Sequence, residues 1–187
     1  MGLRELKKKQ TRKAISNMAT QLFIERGYNN VTTAEIAERA QVSVPTLFNY
    51  FPTKESLVFD EDKEMEQDLL NAVLNRQRGQ SITDALLEMG LASIESISRE
   101  QRKQYATFMK LIESTPELSL YSKQMWMRHE KALAQLIKKE SKKKMAPIEA
   151  EAVAHFVLDS FYRAMGEKNP TTALKSLFKI LKEGMKI

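Results

Sequence analysis

Pro45, Thr46, Asn49 and Tyr50 fall on one side of a short helical pattern, opposite Leu47 and Phe51 at about 100° per residue. These outward groups are small or polar and carry no charge, so their chemistry is hydrogen bonding and not proton transfer. An amide at position 49 offers the paired donor and acceptor that match an adenine edge. Acid–base and metal chemistry have little to work with. The two histidines, His129 and His155, sit in separate helical patterns, and neither has a second ligand four residues on. His155 and Asp159 are spaced to hydrogen-bond as a structural pair or to make a polar contact with a ligand, and His129 beside Glu130 reads as surface. Cysteine is absent, which removes disulfides, thiolate metal sites and cysteine nucleophiles. Glycine-rich phosphate loops and a G-x-S-x-G elbow are missing too, so no catalytic residue, metal or cofactor is expected.

Two short helices must position the outward groups. Thr32 and Glu35 form a Thr-x-x-Glu capping box, with Val31 and Ile36 placed to close over it as a hydrophobic staple. Ala34, Ile36, Ala37 and Ala40 give this helix a narrow side of small residues on which another helix can cross closely. After a turn at Gln41 and Val42, Ser43 caps the second helix. Because Pro45 has no N–H, the Ser43 hydroxyl is expected to accept from the Thr46 N–H. Val44 and Phe48 flank the inward Leu47 and Phe51. Such a pair is the plan of a helix-turn-helix whose second helix enters the DNA major groove. Thr53 then opens a third helix with Lys54 in its first turn, where a cation opposes the helix dipole unless an anion such as a phosphate docks there.

From Ala14 to Leu57 the chain reads Ala19, Leu22, Phe23, Glu25, Gly27 and Tyr28 in an AxxLFxExGY-like run, then TTAEIAERA, VSVPTLFNYF and TKESL. This resembles the amino-terminal domain of TetR-family transcriptional repressors and covers about the first third of the chain. The resemblance implies a homodimer whose two reading helices enter the major groove of an operator in double-stranded DNA. It also implies a helical effector-binding and dimerisation domain behind them. The positions that would touch DNA are Thr33, Val44, Pro45, Thr46, Phe48, Asn49, Tyr50 and Lys54, with Ser43 at the start of the reading helix set beside them. Three residues depart from the family pattern: Gln41 replaces the usual turn glycine, Phe48 a common tyrosine, and Asn49 a frequent aromatic. Phe48 cannot donate the phosphate hydrogen bond that a tyrosine would.

Charge supports that placement. Nine Lys/Arg against four acids up to Lys54 hold +5 of the net +6 in 187 residues. The basic start, Lys7 to Lys9 with Arg12 and Lys13, suits phosphates or a minor-groove arm. With 42% hydrophobic residues but six Gly and five Pro, the composition favours long helices. We expect an all-α chain of about nine helices, with an amino-terminal three-helix reader. The reader is placed in residues 1–52 and an effector-binding and dimerisation domain in residues 53–187. No apolar run approaches the roughly 20 residues of a membrane span, and a cytoplasmic protein without a membrane partner is expected.

The first helix is read to Arg26 with Gly27 as its stop. A long helix is read from Thr53 to about Arg78, and further helices open at Ser81, Thr115, Pro147 and Asn169. Phe108, Met109, Ile112, Met125, Trp126 and Phe156 are candidates for a cavity holding an apolar or amphipathic small-molecule effector. Val153, Val157, Phe161, Leu174, Leu177 and Phe178 are candidates for the dimer seam. Lys138, Lys139, Lys142, Lys143 and Lys144 complement a helix carboxyl end. The function expected is a sequence-specific transcriptional regulator, a repressor released by its effector. The alternative is a basic helical protein that binds membrane surfaces or nucleic acid nonspecifically.

Overall fold

The computed structural model describes residues 2–141 and 144–184. Among the described residues there are nine α-helices and no strand. They are α1 (Leu3–Arg26), α2 (Thr33–Arg39), α3 (Val44–Tyr50), α4 (Asp62–Leu74), α5 (Ile82–Ser96), α6 (Arg99–Ser114), α7 (Pro116–Glu140), α8 (Pro147–Gly166) and α9 (Pro170–Glu183). Two compact units result, Met1–Asp62 with Lys103–Gln124, and Lys63–Arg102 with Met125–Ile187.

In the first unit, Ile15, Ala19, Leu22 and Phe23 recur at helical spacing along α1, and all four are buried. Gly27, at φ +84°, ends the helix and returns its N–H to the Phe23 carbonyl. Ile36, Leu47, Phe51 and Leu57 complete this core with no exposed surface. The continuous helix expected from Thr53 to Arg78 is absent. Thr53 and Ser56 exchange side-chain and backbone hydrogen bonds around a single 3-10 turn at Glu55–Leu57, and α4 starts only at Asp62. Leu57, Val58 and Phe59 are all buried. Three successive side chains cannot share one face of a helix, so the backbone breaks and buries each in a different direction. Phe59 stacks on Tyr121 at 5.1 Å between ring centroids and meets Phe108 edge-on at 6.5 Å. The carboxyl end of α4 also comes early, at Leu74. Arg76 turns back to the Val73 carbonyl and pairs with Glu140 at 3.3 Å.

The second unit is organised around Leu86, Leu133, Val157, Leu174 and Phe178, all fully enclosed. Ser81 caps α5 as the sequence predicts, and Asp84 in its first turn binds Lys182 in the last turn of α9. Lys138 and Lys139 lie in the last turn of α7, where cations complement the free carbonyls. Lys142 and Lys143 lie outside the described residues. His129 corrects the surface reading. It is 1% exposed and packs edge-on against Trp126, because α7 turns this face inward. His155 and Asp159 do not pair either: His155 meets Glu130 at 2.8 Å and Arg163 takes Asp159 at 2.5 Å.

Candidate nucleic-acid interface

The α2–α3 pair forms by the local rules its sequence carries. Thr32 accepts from the Glu35 N–H, but the Glu35 carboxylate does not close the box as expected; Arg26 binds it instead. Between the helices, the Val42 N–H reaches the Ala37 carbonyl at 2.9 Å and the Gln41 N–H reaches Glu38 at 3.0 Å. This is the Schellman closure of a helix end. It places Gln41 at φ +56°, a left-handed conformation that costs a residue with a Cβ about 1–2 kcal/mol. Gln41→Gly is therefore expected to raise stability by about 0.5–1 kcal/mol, the relief being reduced by glycine's larger unfolded-state entropy. Urea titration checks this, and an unchanged or lowered midpoint would contradict it.

Ser43 caps α3 through the Thr46 N–H at 3.2 Å, and the two hydroxyls share a bond of 2.7 Å. Leu47 and Phe51 point inward, while Ser43, Pro45 and Asn49 are exposed and Thr33, Thr46 and Tyr50 half-buried. Val44 and Phe48 differ from their inward placement. At 36% and 42% exposure they lie on the outward face, because Leu47 and Phe51 already fill the inner side of a helix of seven residues. The surface presented is thus an amide, a proline ring and two apolar side chains, with no charge on α3.

Arg12, assigned from sequence to phosphates, is used to hold this helix. Its guanidinium donates to the Tyr50 carbonyl at 2.6 Å, pairs with Asp60 at 2.7 Å and lies 4.2 Å from the Phe51 ring centroid. Lys54 likewise turns inward. Its ammonium donates to the Tyr28 carbonyl at 2.7 Å and sits 4.1 Å over the Tyr28 ring and 5.4 Å from that of Phe23. Burial lowers its pKa, against the raising pull of Glu55 and Glu117. Lys7, Lys8 and Lys9 are exposed on the helical start of α1, so this segment is a helix and not an extended arm.

Tyr28 also donates its hydroxyl to Glu55 at 2.6 Å. Burial pushes the Glu55 carboxyl up, but the bonds from Tyr28, its own backbone and Thr53, with Lys54 nearby, hold it below the usual 4.5. Burial, reinforced by Glu55, raises the Tyr28 phenol above its usual 10.0. The stabilisation is therefore full between those two ordinary values. It is lost as acid passes through the lowered Glu55 pKa, and it also declines once unfolded tyrosine ionises above pH 10.0. Tyr28→Phe is expected to cost about 1.5–3 kcal/mol at neutral pH. The wild-type advantage should shrink in strong acid, and denaturation curves across pH would expose an advantage that stays constant.

The remaining sequence candidates separate. Phe108, Met109 and Ile112 belong to the first unit, and Met125, Trp126 and Phe156 to the second, so the six form no single cluster within either. Val157, Leu174 and Phe178 are 0% exposed in the second unit's own core, which corrects their assignment to a dimer seam. A side chain enclosed by its own chain has no surface left for a partner. Val153, Phe161 and Leu177 keep partial exposure.

Residues 15–60, which contain this interface, match the family described as bacterial regulatory proteins, tetR family. The HTH-type transcriptional regulator TcmR of Streptomyces glaucescens is 27% identical over 122 residues, 63% of this chain and 54% of the relative. The HTH-type transcriptional regulator LuxR of Vibrio harveyi is 36% identical over 95 residues, 46% of this chain and 45% of the relative. The chain thus spans about half the length of these two curated relatives. Salmonella enterica GusR has the same fold at a TM-score of 0.64 and 20% identity, over 93% of this chain and 94% of that one. Thermus thermophilus FadR, a TetR-family repressor solved with lauroyl-CoA, gives 0.60 and 22%, over 94% and 95%. The capped α2–α3 pair thus lies inside the segment that matches the tetR family of bacterial regulatory proteins, and the nine helices among the described residues share their fold with the two solved structures.

Proposed function

We propose that the protein is a homodimeric, cytoplasmic, sequence-specific DNA-binding repressor that leaves its operator when a small apolar or amphipathic effector binds. Residues 1–52 serve as reader, and residues 53–187 serve effector binding and dimerisation. The observation that carries the reading is the exposed, uncharged face of α3, held by Ser43 at one end and Arg12 at the other. Asn49 has the groups to read adenine, and Val44 and Phe48 offer apolar contact to a thymine methyl. The exposed Lys7 to Lys9 supply phosphate attraction. Half-buried Val153, Phe161 and Leu177 remain available to a second copy, and pairing makes the second groove contact effectively intramolecular. Lauroyl-CoA in the FadR structure supports an effector with an apolar part.

The test is fluorescence anisotropy with DNA flanking the protein's own gene against a scrambled duplex at physiological salt. A preference of about 10³ or more is expected, and equal affinities would reject sequence-specific regulation. Asn49→Ala should lose about 1–3 kcal/mol of that discrimination while nonspecific binding persists. A uniform loss on both duplexes would remove Asn49 from base reading.

A further inference from the structure

A base pair is read in the major groove by a side chain matched to its edge. Guanine is met most often by arginine or lysine at O6 and N7, and cytosine by a carboxylate at its amino group. The reading helix α3 carries neither an acid nor a base. The five cations from Arg12 to Lys54 are also turned to partners within the chain. Arg12 holds the Tyr50 carbonyl and Asp60, Lys13 lies 3.3 Å from Glu61, Arg26 and Arg39 share Glu35, and Lys54 donates to the Tyr28 carbonyl. The groups that pick out G·C pairs are therefore missing from the reading helix, and the cations around it are engaged elsewhere.

The side chains that α3 does expose suit the other pair. Asn49 is exposed and offers the amide that matches adenine N6 and N7. Val44 and Phe48, at 36% and 42% exposure, are one helical turn apart and share a side of α3, with the exposed Pro45 next to them. Among the four DNA bases, thymine alone puts a methyl group into the groove. The Ser43 and Thr46 hydroxyls bond to each other at 2.7 Å, and a hydroxyl suits either pair, so they add little discrimination. Given the DNA-reading function on which this rests, we propose that the base pairs α3 covers are A·T pairs. Thymine methyl groups packed on Val44 and Phe48, and adenine bonded to Asn49, distinguish them from G·C, and guanine O6 and N7 take no part.

The test starts from a random-sequence duplex library, enriched by the full-length protein at physiological salt. The enriched duplex is remade with each thymine in turn replaced by deoxyuridine, which lacks the methyl group, and each guanine by 7-deazaguanine, which lacks N7. Deoxyuridine should weaken binding about fourfold at each contacted thymine, the factor that burial of one methyl-sized group supplies. Replacing guanine should leave affinity unchanged. Val44→Ala and Phe48→Ala, both at surface positions, should each abolish the deoxyuridine penalty at the thymine that side chain touches, which separates a methyl contact from altered DNA stiffness. Deoxyuridine without effect at every thymine overturns the proposal, as does a penalty that persists in both alanine variants. So does an affinity that falls with 7-deazaguanine. If no sequence is enriched at all, the DNA-reading function itself fails and this proposal with it, an outcome distinct from a preferred duplex read through guanine.

Discussion

Arg12→Ala is expected to lower folding stability by about 2–4 kcal/mol and, with it, to remove operator binding. Three contacts are lost in one truncation: the bond to the Tyr50 carbonyl, the pair with Asp60 and the cover over Phe51. The Tyr50 carbonyl belongs to the last turn of α3, where no further turn supplies a donor, so the guanidinium closes a helix end that is otherwise open. Asp60 is 15% exposed, so withdrawing a cation 2.7 Å from this poorly solvated carboxylate is costly. Arg12→Lys separates charge from shape. An ammonium can meet Asp60 or Tyr50 but cannot span both as a planar fork does, and its loss should fall between wild type and alanine. Urea denaturation gives the stability, and anisotropy under folding conditions gives the binding. An alanine variant as stable as wild type that loses only DNA affinity would return Arg12 to the phosphate-contacting role its position first implied.

That reassignment marks where sequence reading stops. The caps at Thr32, Ser43, Ser81 and Asn169 were legible because each donor and acceptor lies within three residues, and the structure shows all four. The helical core of α1 was legible because its period is local. The partners of Arg12 and Lys54 and the burial of His129 were not legible, for the opposite reason. Arg12 finds Tyr50 and Asp60 by tertiary contact, 38 residues away in the case of Tyr50. Lys54 finds a carbonyl 26 residues back, and nothing near either residue encodes the partner. The break after Leu57 is written in the sequence as three successive apolar residues, Leu57 to Phe59, which no single helical face can bury. An amphipathic stripe likewise cannot say whether it faces its own chain or another, which is why Val157, Leu174 and Phe178 were set on a seam while they fill a core.

Gly90→Val is expected to be the most damaging single change in the second unit, costing about 3 kcal/mol or more. A Cβ at this position of α5 would lie 2.4 Å from Phe161 Cε1 and 2.9 Å from Leu174 Cδ2, both well inside contact distance. Leu174 has no exposed surface, and Phe161 is stacked at 5.8 Å on the enclosed Phe178, so neither can withdraw without disturbing the packing of α8 on α9. Alanine poses the milder form of the question. Replacing a mid-helix glycine returns about 1 kcal/mol of helix propensity against an overpacking penalty of about 1–3 kcal/mol. Gly90→Ala should therefore be neutral to about 2 kcal/mol destabilising, and valine's two further methyls leave no such offset. If the clash with the Phe161 ring is the cause, Phe161→Leu combined with Gly90→Ala should be less destabilising than the sum of the two single changes. Strict additivity in urea denaturation would show that the ring moves freely and that the close approach of α5 to α8 does not depend on the missing side chain.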